Sequence, residues 1–274
     1  MEGTERPAPG AAPPQRDAAA AAPGEGAASA ALRVRVLGEL AVEVAGEAVE
    51  PPSGRRPRAL LAWLALTPGV HPRSEVAARF WPDVLDESAR ASLRVALSSV
   101  RATLGPAAGQ LTSTRDRVGF ARDADVWVDA AAFEALCAHG RVEEALALRR
   151  GELLAGLDDE WVYAARDAFA ARLSEALAAA VERADTPVHA LALARERAAA
   201  DPLSEAAHRD VIRLLATTGD RGAALLHYNR LRQRLAETLG VAPSAETRAL
   251  VERVREGGDA TAPAQYVRQP MAAA

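Results

Sequence analysis

Apolar residues fall on every second position at Leu32, Val34 and Val36, and again at Leu40, Val42 and Val44. That alternation places them on one face of short strands. Turn-like breaks at Gly38-Glu39 and Ala45-Gly46-Glu47 fold the strands into a small antiparallel sheet, which Val49 and Pro51-Pro52 end. The period then lengthens to that of a helix. Residues 58–66 carry Leu60, Leu61, Trp63 and Leu64 and stop at Thr67-Pro68-Gly69. A second helix starts at Pro72, presents Val76, Ala77 and Phe80, and is broken by Pro82. A third and longer one is capped by Asp86 or Ser88, runs to Leu104 and ends at Gly105-Pro106. Two short β runs within 111–120, around the polar tip Arg115-Asp116-Arg117, predict a hairpin.

A sheet, three helices and a hairpin in that order is the layout of a winged helix-turn-helix. After Trp127-Val128-Asp129 the chain is helical almost throughout. Phe133, Leu136 and Cys137 open one amphipathic face, Val142, Ala145 and Leu146 another, and residues 161–181 form a long helix. Beyond Pro187 the pattern repeats: Leu191 and Leu225, like Ala190 and Ala224, lie 34 residues apart. Two helix pairs are predicted, 187–200 with 204–217 and 221–238 with 244–255, and a 34-residue helix–turn–helix period is that of tetratricopeptide repeats (TPR). The expected architecture is an α+β N-terminal winged helix-turn-helix domain (32–125) followed by an all-α TPR-like helical domain (126–256). Residues 1–31 and 257–274, rich in Ala, Pro and Gly without a periodic apolar face, are expected to be disordered tails.

Composition sharpens this picture. The length of 274 residues suits about two domains. Aromatics at 4% favour close-packed helices over a large sandwich. No apolar run approaches the ~20 residues of a membrane helix, and no secretory start is present. The expected setting is cytoplasmic, at the nucleoid, with no membrane partner. The single cysteine excludes an intrachain disulfide framework and a Cys-rich zinc site. All 33 basic residues are arginine, a bias that GC-rich codon usage explains, and the absence of lysine excludes a Walker-type nucleotide loop. The net charge of −4 hides an asymmetry: residues 53–122 hold 11 arginines against 5 acids, whereas 126–256 hold 17 against 21. A basic module joined to an acidic one points to a polyanion as partner of the former.

On the long helix, Leu93, Leu97, Val100 and Leu104 form one stripe, and Arg90, Arg94, Ser98 and Arg101 form the stripe beside it. Such a helix packs on its domain with one face and offers a DNA major groove the other. Arginine pairs bidentately with guanine O6 and N7, and serine bonds to bases or phosphate. Arg115 and Arg117 on the hairpin suit phosphate or minor-groove contact.

These segments resemble a known family. Leu32-Arg-Val-Arg-Val-Leu-Gly38, Arg58-Ala-Leu-Leu-Ala-Trp-Leu64, Ser88-Ala-Arg-Ala-Ser-Leu-Arg94 through Val100-Arg101, and Leu235-Ala-Glu-Thr-Leu-Gly-Val-Ala-Pro-Ser244 look like those of SARP-type antibiotic regulatory proteins. In that family an OmpR/PhoB-type winged helix precedes a bacterial transcriptional activator domain (BTAD). The resemblance covers about 225 residues, all but the two tails. It implies activation of transcription from double-stranded DNA, at direct repeats near promoters of secondary-metabolite genes, by a protein that contacts RNA polymerase. It assigns 88–104 as the recognition helix and 111–121 as the wing. It makes the helix–helix loop 81–86, with Trp81, Asp83 and Asp86, the polymerase contact. Two copies on a direct repeat, a homodimer on DNA, set their recognition helices about one duplex turn apart. The chain ends after the activator domain, as in the small form of the family, and neither cofactor nor metal is implied.

Two other readings compete. In the first, the helical half is a TPR-like protein-interaction scaffold, and the arginine stripe pairs with an acidic partner rather than DNA. The second is an enzyme. Its best carboxylate cluster, Asp158-Asp159-Glu160, falls at a helix start, where acids suit the helix dipole. His71, His139, His189, His208 and His227 are solitary by spacing, and Cys137 reads as a small core residue. No phosphate loop or nucleophile elbow is present, so no catalytic site is expected. Trp63, Trp81, Trp127 and Trp161 lie in apolar contexts and are expected to anchor the core or the junction between the halves.

Overall fold

The computed structural model describes residues 31–257, so the tails expected at 1–31 and 257–274 lie outside the described residues apart from Ala31 and Gly257. In chain order the first half comprises β1 (Leu32–Arg35), β2 (Ala41–Val44), β3 (Glu47–Val49), α1 (Arg55–Leu66), β4 (Gly69–Pro72), α2 (Arg73–Phe80) and α3 (Asp86–Leu104). A 3-10 turn (Gly105–Gln110) leads to β5 (Leu111–Ser113), β6 (Arg117–Phe120) and β7 (Val126–Val128). The remainder is helical: α4 (Asp129–Ala138), α5 (Val142–Ala147), α6 (Glu160–Arg183), α7 (Pro187–Ala200), α8 (Glu205–Thr217), α9 (Arg221–Leu239) and α10 (Ala245–Glu256). This is the α+β winged helix-turn-helix followed by an all-α, TPR-like half that the sequence predicts.

The alternation at 32–44 becomes register. Leu32 lies opposite Val44 and Val34 opposite Val42, so four buried side chains share one face of the sheet. The other face carries Arg33 and Arg35, which both pair with Glu43, at 3.0 and 2.8 Å, and lie over the Trp127 ring, at 4.7 and 5.5 Å. The sheet order is β3-β2-β1-β7, with β7 parallel to β1.

Three local expectations change. Glu47, read as part of a turn, begins β3. Gly69–Pro72, read as a helix stop followed by a helix start, is a strand that pairs with β6 in a second sheet, β4-β6-β5. The approach there is close enough that a Cβ on Gly119, at φ +154°, falls 2.0 Å from the Gly69 carbonyl oxygen, so only glycine fits. Asp86 is the first residue of α3 rather than its cap; the helix is entered from Leu85 with no side-chain cap.

In the second half, four helix starts have side-chain caps. Thr186, Ser204, Asp220 and Ser244 accept from the backbone N–H groups of His189, Ala207, Ala223 and Thr247. Helices α6 to α10 pack each on the next. Ala190 and Ala224, the equivalent small residues of the repeat, are both buried where helices meet.

Polar contacts join the halves. Asp129, 1% exposed at the start of α4, accepts from the backbone N–H groups of Val36 (2.8 Å) and Leu37 (3.0 Å). Burial pushes its carboxyl above the usual range, against those two bonds and the Arg35 charge. The segment after α5 runs beside the end of β1: Arg150, Leu154 and Ala155 N–H donate to the carbonyls of Leu37, Val36 and Gly38. The acids at the start of α6 face α1. Asp159 pairs with Arg56 (2.9 Å), and Asp158 with Arg55 (2.8 Å).

Candidate nucleic-acid interface

The apolar stripe of α3 faces inward: Ala89, Leu93, Ala96, Leu97, Val100 and Leu104 are buried against α1 and α2. Arg90, Arg94, Ser98 and Arg101 are all exposed, as their spacing requires. The hairpin of β5 and β6 stands beside this helix, with Thr114, Arg115 and Asp116 at its tip. Arg115 is exposed there. Arg117 lies inside β6, and its guanidinium donates to the Val70 carbonyl, bracing the wing on β4.

Arg73, which spacing alone did not single out, ties these parts together. At the first position of α2 it donates from Nη1 to Ser113 Oγ (3.1 Å) and to the Thr114 carbonyl (3.2 Å), while its backbone N–H donates to the Asp116 carbonyl (2.8 Å). Its pKa is lowered, first by partial burial and then by the charges of Arg101 and Arg94. The charges of Arg94 and Arg101 on α3 therefore reach Arg73 where it braces the wing. Among the described residues, none of Arg73, Arg90, Arg94, Arg101, Arg115 and Arg117 enters an ion pair. The cue in the sequence was an arginine directly after a helix-opening proline within the basic segment.

Val95 was also missed. It is 72% exposed on the outer face of α3, between Arg94 and Ser98, an unusual place for a β-branched apolar residue.

At the other end of α3, Trp81, half-buried against Phe80 (6.0 Å between rings), shares a cleft of about 210 Å³ with Asp86 and Arg90. Asp83 is exposed on the same loop but not on the cleft wall. Val84 and Leu85 protrude, the latter 83% exposed. The expected site residues thus form two groups: Arg94 and Arg101 gather with Arg73 beside the wing, and Trp81 and Asp86 gather with Arg90 at the α2–α3 turn.

Three of the five histidines are not solitary: His189 Nε2 lies 2.8 Å from Glu143 Oε1, and His208 meets His227. His208 Nε2 donates to the Pro202 carbonyl (3.1 Å), which leaves Nδ1 to accept from His227 Nε2 (2.8 Å). Spacing hid this pair because the residues lie on facing helices, α8 and α9. Among the described residues no group of three or more metal-ligating side chains forms, and no helix is long and apolar enough to cross a membrane.

A winged helix-turn-helix joined to stacked helix pairs is the architecture of a transcription regulator. Residues 116–255 match the bacterial transcriptional activator domain profile, and the chain belongs to that family, in agreement with the SARP-type resemblance. Among solved structures it is similar to Mycobacterium tuberculosis EmbR in complex with a low-affinity phosphopeptide. The TM-score is 0.60 at 23% identity, over 84% of this chain and 66% of the EmbR chain. That likeness concerns the fold, and this chain spans just under two thirds of EmbR's length. No curated protein matches the sequence.

Proposed function

We propose that the protein is a sequence-specific DNA-binding activator, with residues 32–125 as the DNA-binding domain and 126–256 as the helical activator domain. The observation that carries this is the exposed arginine stripe of α3, Arg90, Arg94 and Arg101, which enters no ion pair among the described residues and whose Arg94 and Arg101 charges act on Arg73 at the wing. Like charges held together cost folding stability, and a phosphate backbone supplies the missing counter-charge. In this reading α3 enters the major groove. Arg90, Arg94, Ser98 and Arg101 meet base edges and phosphates, and Val95 lies against a thymine methyl group. Arg115 contacts the backbone beside the groove, and Arg117 holds the wing in place for it. Two copies bind a direct repeat as a homodimer on DNA. The α2–α3 turn, with Trp81, Asp83, Asp86 and the protruding Leu85, then meets RNA polymerase. Secondary-metabolite promoters in the nucleoid are the targets that the family suggests.

The test is selection of genomic DNA fragments by the purified protein, with the Arg94→Ala/Arg101→Ala double variant as control. A direct repeat recovered by the native protein and lost by the variant supports the reading. Equal recovery by both, or no shared motif, overturns it in favour of a protein-interaction scaffold.

A further inference from the structure

Between the two halves lies a cavity of about 620 Å³, within the roughly 300–1,000 Å³ of small-molecule sites. Its walls come from the end of α1, the chain between β6 and β7, the start of α4 and the first turns of α6. Aromatic residues are only 4% of the chain, yet Trp63, Phe120, Trp161 and Phe169 all line this one space. The α6 wall between the last two is built from Ala164, Ala165 and Ala168, side chains too small to fill the gap between the halves.

The charge on the walls that is left without an ion pair has one sign. Arg79 and Arg122 line the cavity and enter no ion pair among the described residues, and the Arg79 guanidinium lies 5.6 Å from the centroid of the Trp63 ring. The one lining carboxylate, Glu134, is held by Arg172. Flat apolar walls with two free guanidinium groups match a molecule that is itself flat and apolar with one anionic end.

We infer that this cavity is a binding site for a small organic anion with a planar apolar body, such as an aromatic carboxylate. Its ring lies among Trp63, Phe120, Trp161 and Phe169, and its anionic group is held by Arg79 and Arg122. The site belongs to both halves. Phe80, at the end of α2, touches Trp63 (6.1 Å), Trp161 (6.4 Å) and Trp81 (6.0 Å), so the cavity wall is continuous with the α2–α3 turn. An occupant adds contacts to both halves and stabilises their packing by mass action.

The probe is 8-anilinonaphthalene-1-sulfonate, flat and anionic, added to the full-length protein and compared with the uncharged N-phenyl-1-naphthylamine. The expected result is one saturable site for the sulfonate and a higher melting temperature in its presence. The Arg79→Gln/Arg122→Gln double variant should bind the sulfonate about tenfold more weakly, while its affinity for the naphthylamine stays within about twofold. Ala168→Trp should abolish binding of both, and Ala131→Leu, on the opposite wall, should do the same if Ala168→Trp unsettles α6. Absence of a saturable site overturns the inference, as does a melting temperature lowered by the probe. Unchanged binding in both filled variants, or equal loss of both probes in the arginine double variant, overturns it too. No DNA is present, so these outcomes are independent of DNA recognition.

Discussion

On the face shared by α2, α3 and the wing, Arg73, Arg94 and Arg101 enter no ion pair among the described residues, and the charges of Arg94 and Arg101 both act on Arg73. At the junction of the halves four arginines are partnered. Arg55 and Arg56 hold Asp158 and Asp159. Arg166 donates to the carbonyls of Leu153 (2.8 Å), Leu154 (3.0 Å) and Leu157 (3.1 Å), and Arg172 holds Glu134. A planar five-donor group serves two ends here. At the junction it satisfies buried acceptors and fixes one packing of two modules. On the proposed recognition face its donors have no carboxylate partner among the described residues, which leaves them for the phosphates of the proposed DNA.

The largest effect expected from breaking this contrast is at Arg166. Arg166→Ala leaves three carbonyls of the 153–157 segment without their donor, which should cost about 3 kcal/mol of stability, read from urea midpoints. A loss under about 1 kcal/mol would mean that water replaces the guanidinium and that the junction does not depend on it. The recognition face should behave in the opposite way. Arg94→Ala/Arg101→Ala should lower affinity for the selected DNA about a hundredfold, or about 2.7 kcal/mol. Its melting temperature should be unchanged or slightly higher, because Arg73 loses two like-charged neighbours. A substantial fall in melting temperature would place these arginines among the structural ones.

How far the sequence reveals these two uses depends on the distance over which each is built. The strands at 32–44, the α3 stripe and the helix pairs of 187–256 are legible because their periods are local, and the capped starts of α7 to α10 reinforce them. The strands β4 and β7 are not. Each is three or four residues long, and each owes its form to a partner far along the chain, β6 for the first and β1 for the second. In the candidate site, Arg90, Arg94, Ser98, Arg101 and Arg115 are exposed as their spacing implies. The importance of Arg73 could not be read because it depends on Ser113 and Thr114, some 40 residues away. Arg117 looks like a tip residue until β4, unseen in the sequence, supplies the Val70 carbonyl that it braces.

Like charge acting on like recurs around His227, where it meets a group that titrates. Burial, and then the charges of His208, Arg230, Arg195 and Arg234, push His227 down to about 4 from 6.5. His208 is lowered as well, mainly by burial, with Arg234 opposing its charge and Asp201 favouring it. Because the folded-state value is depressed, the unfolded chain takes up the proton first as pH falls. Stability from His227 is full above about 6.5 and is lost as pH drops toward about 4. His227→Gln should shrink the fall in stability between pH 7 and pH 5 by about 1 kcal/mol, after allowance for the partial exposure of the ring. An unchanged pH dependence would show that the ring is solvated enough to titrate normally.

The smallest effect, and the most discriminating within the recognition face, is expected at the wing tip. Arg115 is exposed and makes no ion pair among the described residues, and it stands on a hairpin rather than on α3, the proposed base reader. If it contacts only a phosphate, Arg115→Ala weakens binding to specific and scrambled DNA alike, by less than about 1 kcal/mol. It also reduces the slope of log affinity against log salt by about one unit. Arg94→Ala at a base edge should instead lower the specific affinity far more than the non-specific one and leave most of the slope in place. Measured as a pair over a range of salt, the two variants separate charge that positions the protein from charge that reads the sequence. Equal behaviour of both would mean that the unpaired arginines act as one undivided field, with no base reader among them.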